Sequence, residues 1–132
     1  MKKIGLLHGE LSKCIAQMGH GDMILIGDAG MPVPEGVPLI DLALVQGVPG
    51  FFDVLKAVLS ELCVQEAVIG AEMKQVSPHI KTRLDEIVKA DFELTELPHL
   101  KLKELSKDAK AVIRTGEFTP YANIILKAGV LF

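Results

Sequence analysis

Tryptophan is absent from this 132-residue chain, and aromatic residues of every kind make up only 5% of it. Its interior must therefore be built from aliphatic side chains. No uninterrupted apolar run approaches the roughly 18 residues of a membrane-spanning helix, which excludes such a helix. Basic residues form no cluster and the formal net charge is −3, which argues against a nucleic-acid partner. Cysteine occurs only at Cys14 and Cys63, in no metal or redox spacing, and both are expected to be buried thiols in a reducing cytosol. The basic start, Met1-Lys2-Lys3, leads into an apolar stretch that His8 and Glu10 interrupt too soon for a secretory signal. Internal repeats, low-complexity tracts and linkers are missing as well.

What the chain does hold is aliphatic surface. Apolar residues account for 49% of it, mostly Leu, Ile, Val and Ala. A length of 132 residues suits one domain with one core. A domain this small cannot hide so much apolar surface alone, so an oligomer is expected. Leu11, Cys14, Ile15 and Met18 recur at helical spacing, with Gly19 as a stop. A second helix is predicted from the Gly-Val-Pro-Gly turn at 47–50, with Phe52, Leu55, Leu59 and Leu62 as its stripe. A third is predicted from a Ser77 cap and Pro78, with Ile80, Leu84, Ile87 and Val88 facing inward. A short helix is expected near Lys101 to Ser106. Strands are predicted at Met23 to Gly27, Ala67 to Ala71, Phe92 to Leu97, Ala111 to Arg114 and Ile124 to Leu126. Val130 to Phe132 also suits a strand better than a helix. Helices alternating with short aliphatic strands give an α/β domain with helices covering a sheet.

Polar groups at strand ends and in loops are the candidates for chemistry, because ligands of open α/β sheets bind outside the strand edges. Residues 18–34, MGHGDMILIGDAGMPVP, put His20 in a glycine-rich turn before a buried strand and Asp28 at its exit. A histidine titrates near neutrality and suits proton transfer, although in a loop it is often merely solvated. A carboxylate like Asp28 commonly caps a turn. Gly27 to Gly30 hints at a phosphate loop, but neither GxGxxG nor GxxxxGK is present. His99, after Pro98 at a strand end, is a further candidate; His8 and His79 are poorer ones. The densest polar loop, Arg114 to Asn123, holds the only tyrosine, and Tyr121 and Asn123 offer a hydroxyl and an amide. No metal cluster, Ser-His-Asp order, reactive-cysteine context or dinucleotide fingerprint accompanies these groups. The inventory fits proton shuffling on a small neutral polar molecule.

Several stretches together resemble the D-ribose pyranase family, which includes the fucose mutarotases. They are Gly19-His20-Gly21-Asp22, Asp28-Ala29-Gly30 with Pro32-Val33-Pro34, Ile40-Asp41-Leu42 with Gly47-Val48-Pro49, Ala111 to Glu117, Pro120 to Leu126 and Ala128-Gly129-Val130. The resemblance implies a three-layer α/β/α sandwich with a mixed β-sheet in a single domain spanning residues 1–132. It implies a cytoplasmic isomerase that interconverts pyranose and furanose D-ribose for ribokinase, with no cofactor and no metal. It also implies a ring-shaped homo-oligomer, a decamer or octamer. By position, His20 would be the acid-base residue, while Asp28, His99, Tyr121, Ala122 and Asn123 would hold the sugar. The sequence departs from the family at His8-Gly9-Glu10, where Asn-Ser is expected, and at Gly21, where threonine is common. A mutarotase for another aldose such as fucose, a non-catalytic sugar-binding accessory protein and a phosphate binder are the alternatives.

Geometry constrains the two ends of the first strand. At about 3.3 Å per residue, the five residues of the strand separate its ends by roughly 16 Å, more than a ribose spans, so His20 and Asp28 of one chain are not expected to grip the same sugar unless residues 20 to 22 fold back. The expectation is a pocket shared between neighbouring subunits, with His20 supplied by one copy and the strand-exit loops by another.

Overall fold

Aliphatic strands bounded by glycine, proline and aspartate pair into one six-stranded sheet in the computed structural model, which describes residues 1–132. The elements in chain order are α1 (Gly9–Gln17), β1 (Met23–Gly27), β2 (Leu39–Asp41), α2 (Phe51–Leu59), β3 (Val64–Gly70), α3 (Met73–Val76), α4 (Pro78–Val88), β4 (Glu93–Leu97), α5 (His99–Leu105), a 3-10 turn (Ser106–Asp108), β5 (Ala111–Arg114) and β6 (Ile124–Ala128). Strand order is β2-β5-β1-β6-β3-β4. β1 pairs parallel with β5, β5 with β2, and β3 with β4. β6 alone runs the other way, antiparallel to both β1 and β3.

The central strands are apolar on both faces because both faces are covered. Ile24, Ile26, Ile69, Ile113, Ile124 and Leu126 pack beneath α1, α2 and α4, against Leu11, Phe51, Leu55 and Leu84 among others. Leu25, Val68, Val112 and Ile125 point to the opposite face, where Leu102 of α5 and Met31 cover them. Each such side chain contributes ~1.5–3 kcal/mol when fully buried. The result is the expected α/β/α sandwich with a mixed sheet in a single domain. No helix is long and apolar enough to cross a membrane.

Most predicted elements are present, some with shifted ends. β1 and β5 coincide with the predicted runs, and β3 begins at Val64, earlier than expected. α2 ends at Leu59, so Leu62 is buried beyond it and outside the helical stripe. His8 precedes α1, and its Nδ1 accepts from Leu11 N–H at 3.2 Å. His79 is exposed in the first turn of α4.

Three expectations are corrected. Val130 to Phe132 form no strand and are exposed. Cys14 and Cys63 are half-buried free thiols rather than buried ones. The Ser77 hydroxyl caps nothing at α4; it donates to the carbonyls of Met73 and Pro120, at 3.3 and 2.8 Å. β2 and α3 went unpredicted because three and four residues are too short to display a period.

Candidate active site

The reversed direction of β6 decides which loops meet. The C-terminal ends of β1, β3, β4 and β5 lie at one end of the sheet, and the antiparallel β6 brings its N-terminal end there too. Asp28, Glu72, His99, Thr115 and the Tyr121-Ala122-Asn123 segment therefore converge from five chain segments. This is the sheet end at which open α/β folds bind ligands.

Asp28 and Asn123 are locked together. The Asp28 N–H donates to Asn123 Oδ1 at 2.8 Å, and Asn123 Nδ2 donates to Asp28 Oδ2 at 2.8 Å. Asp28 Oδ1 accepts from Gly30 N–H at 2.9 Å, so the turn-capping role is present as well. Asn123 is buried and Asp28 half-buried, leaving the carboxylate a fixed acceptor at the rim. Alongside, the Thr115 hydroxyl and N–H both donate to the Gly27 carbonyl, at 2.8 and 3.0 Å.

The turn that delivers Asn123 is held in an unusual backbone form. Tyr121 has φ +62°, the left-handed region that a non-glycine residue rarely adopts. It persists because both flanks are tied. Asn123 N–H donates to the Tyr121 carbonyl at 2.8 Å, and the buried Ser77 hydroxyl holds the Pro120 carbonyl. Earlier in this loop, Glu117 accepts from the Thr119 hydroxyl at 2.7 Å and from Phe51 N–H at the start of α2 at 3.2 Å. Burial pushes the Glu117 carboxyl up, but these bonds and backbone N–H groups of the loop outweigh it and hold the group below its ordinary range. Ala122 is wholly buried, main chain included, and presents no surface to a ligand within this one chain.

His99 opens α5 directly after β4. Its ring stands perpendicular to that of Tyr121, with centroids 5.0 Å apart. Its N–H donates to both carboxylate oxygens of Glu72, at 3.2 and 3.0 Å, and its Nδ1 is buried without a hydrogen-bond partner. Burial lowers the imidazole below its ordinary pKa and Lys103 lowers it further, while Glu72 and Asp28 oppose both. The balance favours the neutral ring over the charged one.

His20 sits at the other end of the sheet. It is exposed, and its Nε2 lies 2.9 Å from Gln65 Oε1 at the start of β3. Beside it, Gly21 N–H donates to the Ala128 carbonyl at the far end of β6. Within one chain, the length of β1 separates His20 from Asp28. Of the predicted site residues, the fold brings Asp28, His99, Tyr121, Ala122 and Asn123 together and leaves His20 apart. A cavity of about 490 Å³ lies elsewhere again, between α1 and β2, lined by Cys14, Gln17, Leu39 and Lys110 among others. It contains none of these residues. No group of three or more His, Cys, Asp or Glu side chains is arranged to hold a metal ion.

Glu72 and Ser77 belong to this site's framework and were missed in the sequence. Each acts on a partner more than 25 positions away, at 27 and 43 residues respectively, and no local pattern reports such a contact. Next to the site, Leu44, Val45, Val48 and Phe118 are exposed at 77%, 62%, 48% and 61%, an apolar surface that a lone domain leaves in water.

Known proteins share this sequence and architecture from end to end. Residues 1–131 match the RbsD / FucU transport protein family. The chain is 53% identical to a D-ribose pyranase of Clostridium perfringens over 132 residues, covering 100% of both chains. Its fold superposes on Bacillus subtilis RbsD complexed with D-ribose with a TM-score of 0.96, at 48% identity and 100% coverage of both chains. The fucose mutarotase of Streptococcus pneumoniae, in complex with L-fucose, is more distant: 28% identity, TM-score 0.80, covering 96% of this chain and 95% of that one. On its sequence and its fold alike, the chain belongs to the RbsD / FucU transport protein family.

Proposed function

We propose that this chain is a D-ribose pyranase, an isomerase that interconverts the pyranose and furanose forms of D-ribose. The observation that carries the reading is the convergence of Asp28, His99, Tyr121 and Asn123 at one sheet end while His20 stands at the other. A carboxylate, a neutral imidazole, a phenol and a carboxamide suit the hydroxyls of a neutral sugar. The fold shared with a ribose complex and the identity to D-ribose pyranases favour ribose over fucose.

The reaction is hemiacetal opening and reclosure. A base removes the proton of the anomeric hydroxyl while an acid protonates the ring oxygen, and the open aldehyde forms. The chain rotates and O4 attacks in place of O5. Protons only move between oxygens and the protein, and atoms balance without a co-reactant. His20 supplies the acid-base step, a contribution typically worth about 10²–10⁴-fold. Asp28, held by Asn123, together with His99 and Tyr121, fixes the hydroxyls. A hydroxyl left unpaired in such a pocket costs roughly 1–3 kcal/mol.

For His20 to act on that sugar it must come from a neighbouring copy. The exposed apolar residues beside the site are the surface on which the copies meet, and each pocket is completed between two subunits. The family resemblance extends this to a closed ring, a decamer or octamer, working in the cytoplasm and delivering furanose to ribokinase.

The test is NMR saturation transfer between pyranose and furanose signals of D-ribose, with and without protein. Acceleration by the wild type and its loss in His20→Ala, with the assembly unchanged, is the expected outcome. Exchange at the buffer rate with wild-type protein would mean a sugar binder, not a catalyst.

A further inference from the structure

We propose that Glu72 is a positioning residue for His99, holding the imidazole in the tautomer protonated on Nδ1 so that Nε2 is a bare acceptor for a sugar hydroxyl. This rests on the reading of His99 as a sugar-holding residue.

Three contacts support it. The Glu72 carboxylate is anchored on the His99 N–H through both oxygens. It also shares a wall with the buried edge of the ring. A methyl group placed on Gly70 would lie 3.3 Å from Glu72 Oε2 and 3.3 Å from His99 Nδ1, so the two atoms flank the same bare Cα. The plane of the ring is fixed from the side by Tyr121, standing perpendicular to it. With Nδ1 buried there, Nε2 is the nitrogen left to meet a ligand.

The electrostatics choose between the tautomers. A ring nitrogen bearing a proton presents a positive dipole end, and a bare one presents a lone pair. Near a carboxylate the first is favoured through space, although Nδ1 makes no hydrogen bond to Glu72. Hydrogen bonds from its own backbone N–H and that of His99 hold Glu72 ionised, below the ordinary carboxylate range. The other charged or titratable groups facing the ring do not compete for Nδ1 as acceptors. Lys103 is a cation on the same helix, Tyr121 presents its ring, and Asp28 belongs to the sugar-holding side.

The experiment is ¹⁵N NMR of histidine-labelled protein in the absence of sugar, with the His99 resonances assigned by their loss in His99→Gln. The wild type is expected to show His99 mainly protonated on Nδ1. Glu72→Gln still offers its carbonyl to the His99 N–H, and is expected to move the proton toward Nε2. In ring exchange, Glu72→Gln should raise KM about tenfold and leave kcat within about threefold, as for a lost binding contact. A wild-type ring protonated on Nε2, or an unchanged tautomer ratio in Glu72→Gln, overturns the proposal; the wild-type measurement decides even if the variant does not fold. Because the tautomer is read without sugar, a protein that fails to exchange ribose rings would sink the ribose reading and leave this result standing on its own.

Discussion

Asn123 and Asp28 are 95 residues apart in sequence, yet the carboxamide of one satisfies both the N–H and the carboxylate of the other, at 2.8 Å each. The pair joins the exit of β1 to the entrance of β6, and an amide accepts and donates at once without having to bind a proton. Asn123→Asp would face the Asp28 carboxylate with a second one. One of the two would have to take up a proton or give way. Its expected effects are a loss of about 1–3 kcal/mol in denaturant unfolding and a fall in catalysed exchange of at least about tenfold. Unchanged stability and turnover would show that the pair positions nothing.

A pocket shared between copies predicts complementation. With ribose held well below KM, His20→Ala and His99→Gln subunits are each expected to exchange far more slowly than wild type, since each spoils every site. Unfolded together and reassembled as an equal mixture, they should regain about a quarter of wild-type exchange, the chance that both halves of a given site are intact. No recovery from a properly mixed oligomer would place the whole site within one chain.

The His99 ring should titrate below the ordinary histidine value of 6.5, because burial and then Lys103 disfavour its charged form. Lys103→Met is expected to move the midpoint up and Glu72→Gln to move it down, both followed by imidazole proton shifts. The sign for stability follows from proton counting. Between the folded pKa and about 6.5 the unfolded chain binds more protons, so this contribution is complete above 6.5 and is lost as pH falls toward the folded value. His99→Gln should remove that slope from a plot of unfolding free energy against pH.

Gly116 is wedged against backbone. A Cβ there would lie 2.6 Å from the carbonyl oxygens of both Val45 and Val48, which cannot swing aside as a side chain would. Gly116→Ala is expected to lower stability by about 1–3 kcal/mol, read as a shift of the denaturation midpoint. It should also disturb Glu117 and its hold on α2. A midpoint equal to wild type would show that the loop yields freely.

Much of this molecule was legible from the order of its residues. Met23 to Gly27 and Ala111 to Arg114 could be read as strands because strands buried on both faces are continuous aliphatic runs. Asp28, His99 and Asn123 could be read as candidates because they follow or precede such runs, where the backbone leaves the core. Glu72 was invisible: it follows a strand like many solvated acids, and its meaning lies in the N–H of a residue 27 positions on. Ser77 looked like a cap because Ser-Pro usually is one, but its hydroxyl was claimed by Pro120 across the site. Val130 to Phe132 looked like a strand on composition, and no neighbouring strand accepts them.

The countercurrent course of β6 has a practical corollary for handling the protein. It carries the chain away from the Asp28 and Asn123 end of the sheet and releases it at the His20 edge, where Gly129 donates to the Cys63 carbonyl and packs against Gln65, the residue that His20 touches. An affinity handle or fluorescent reporter fused after Phe132 would therefore crowd the His20 imidazole, which the proposed mechanism lends to a neighbouring copy.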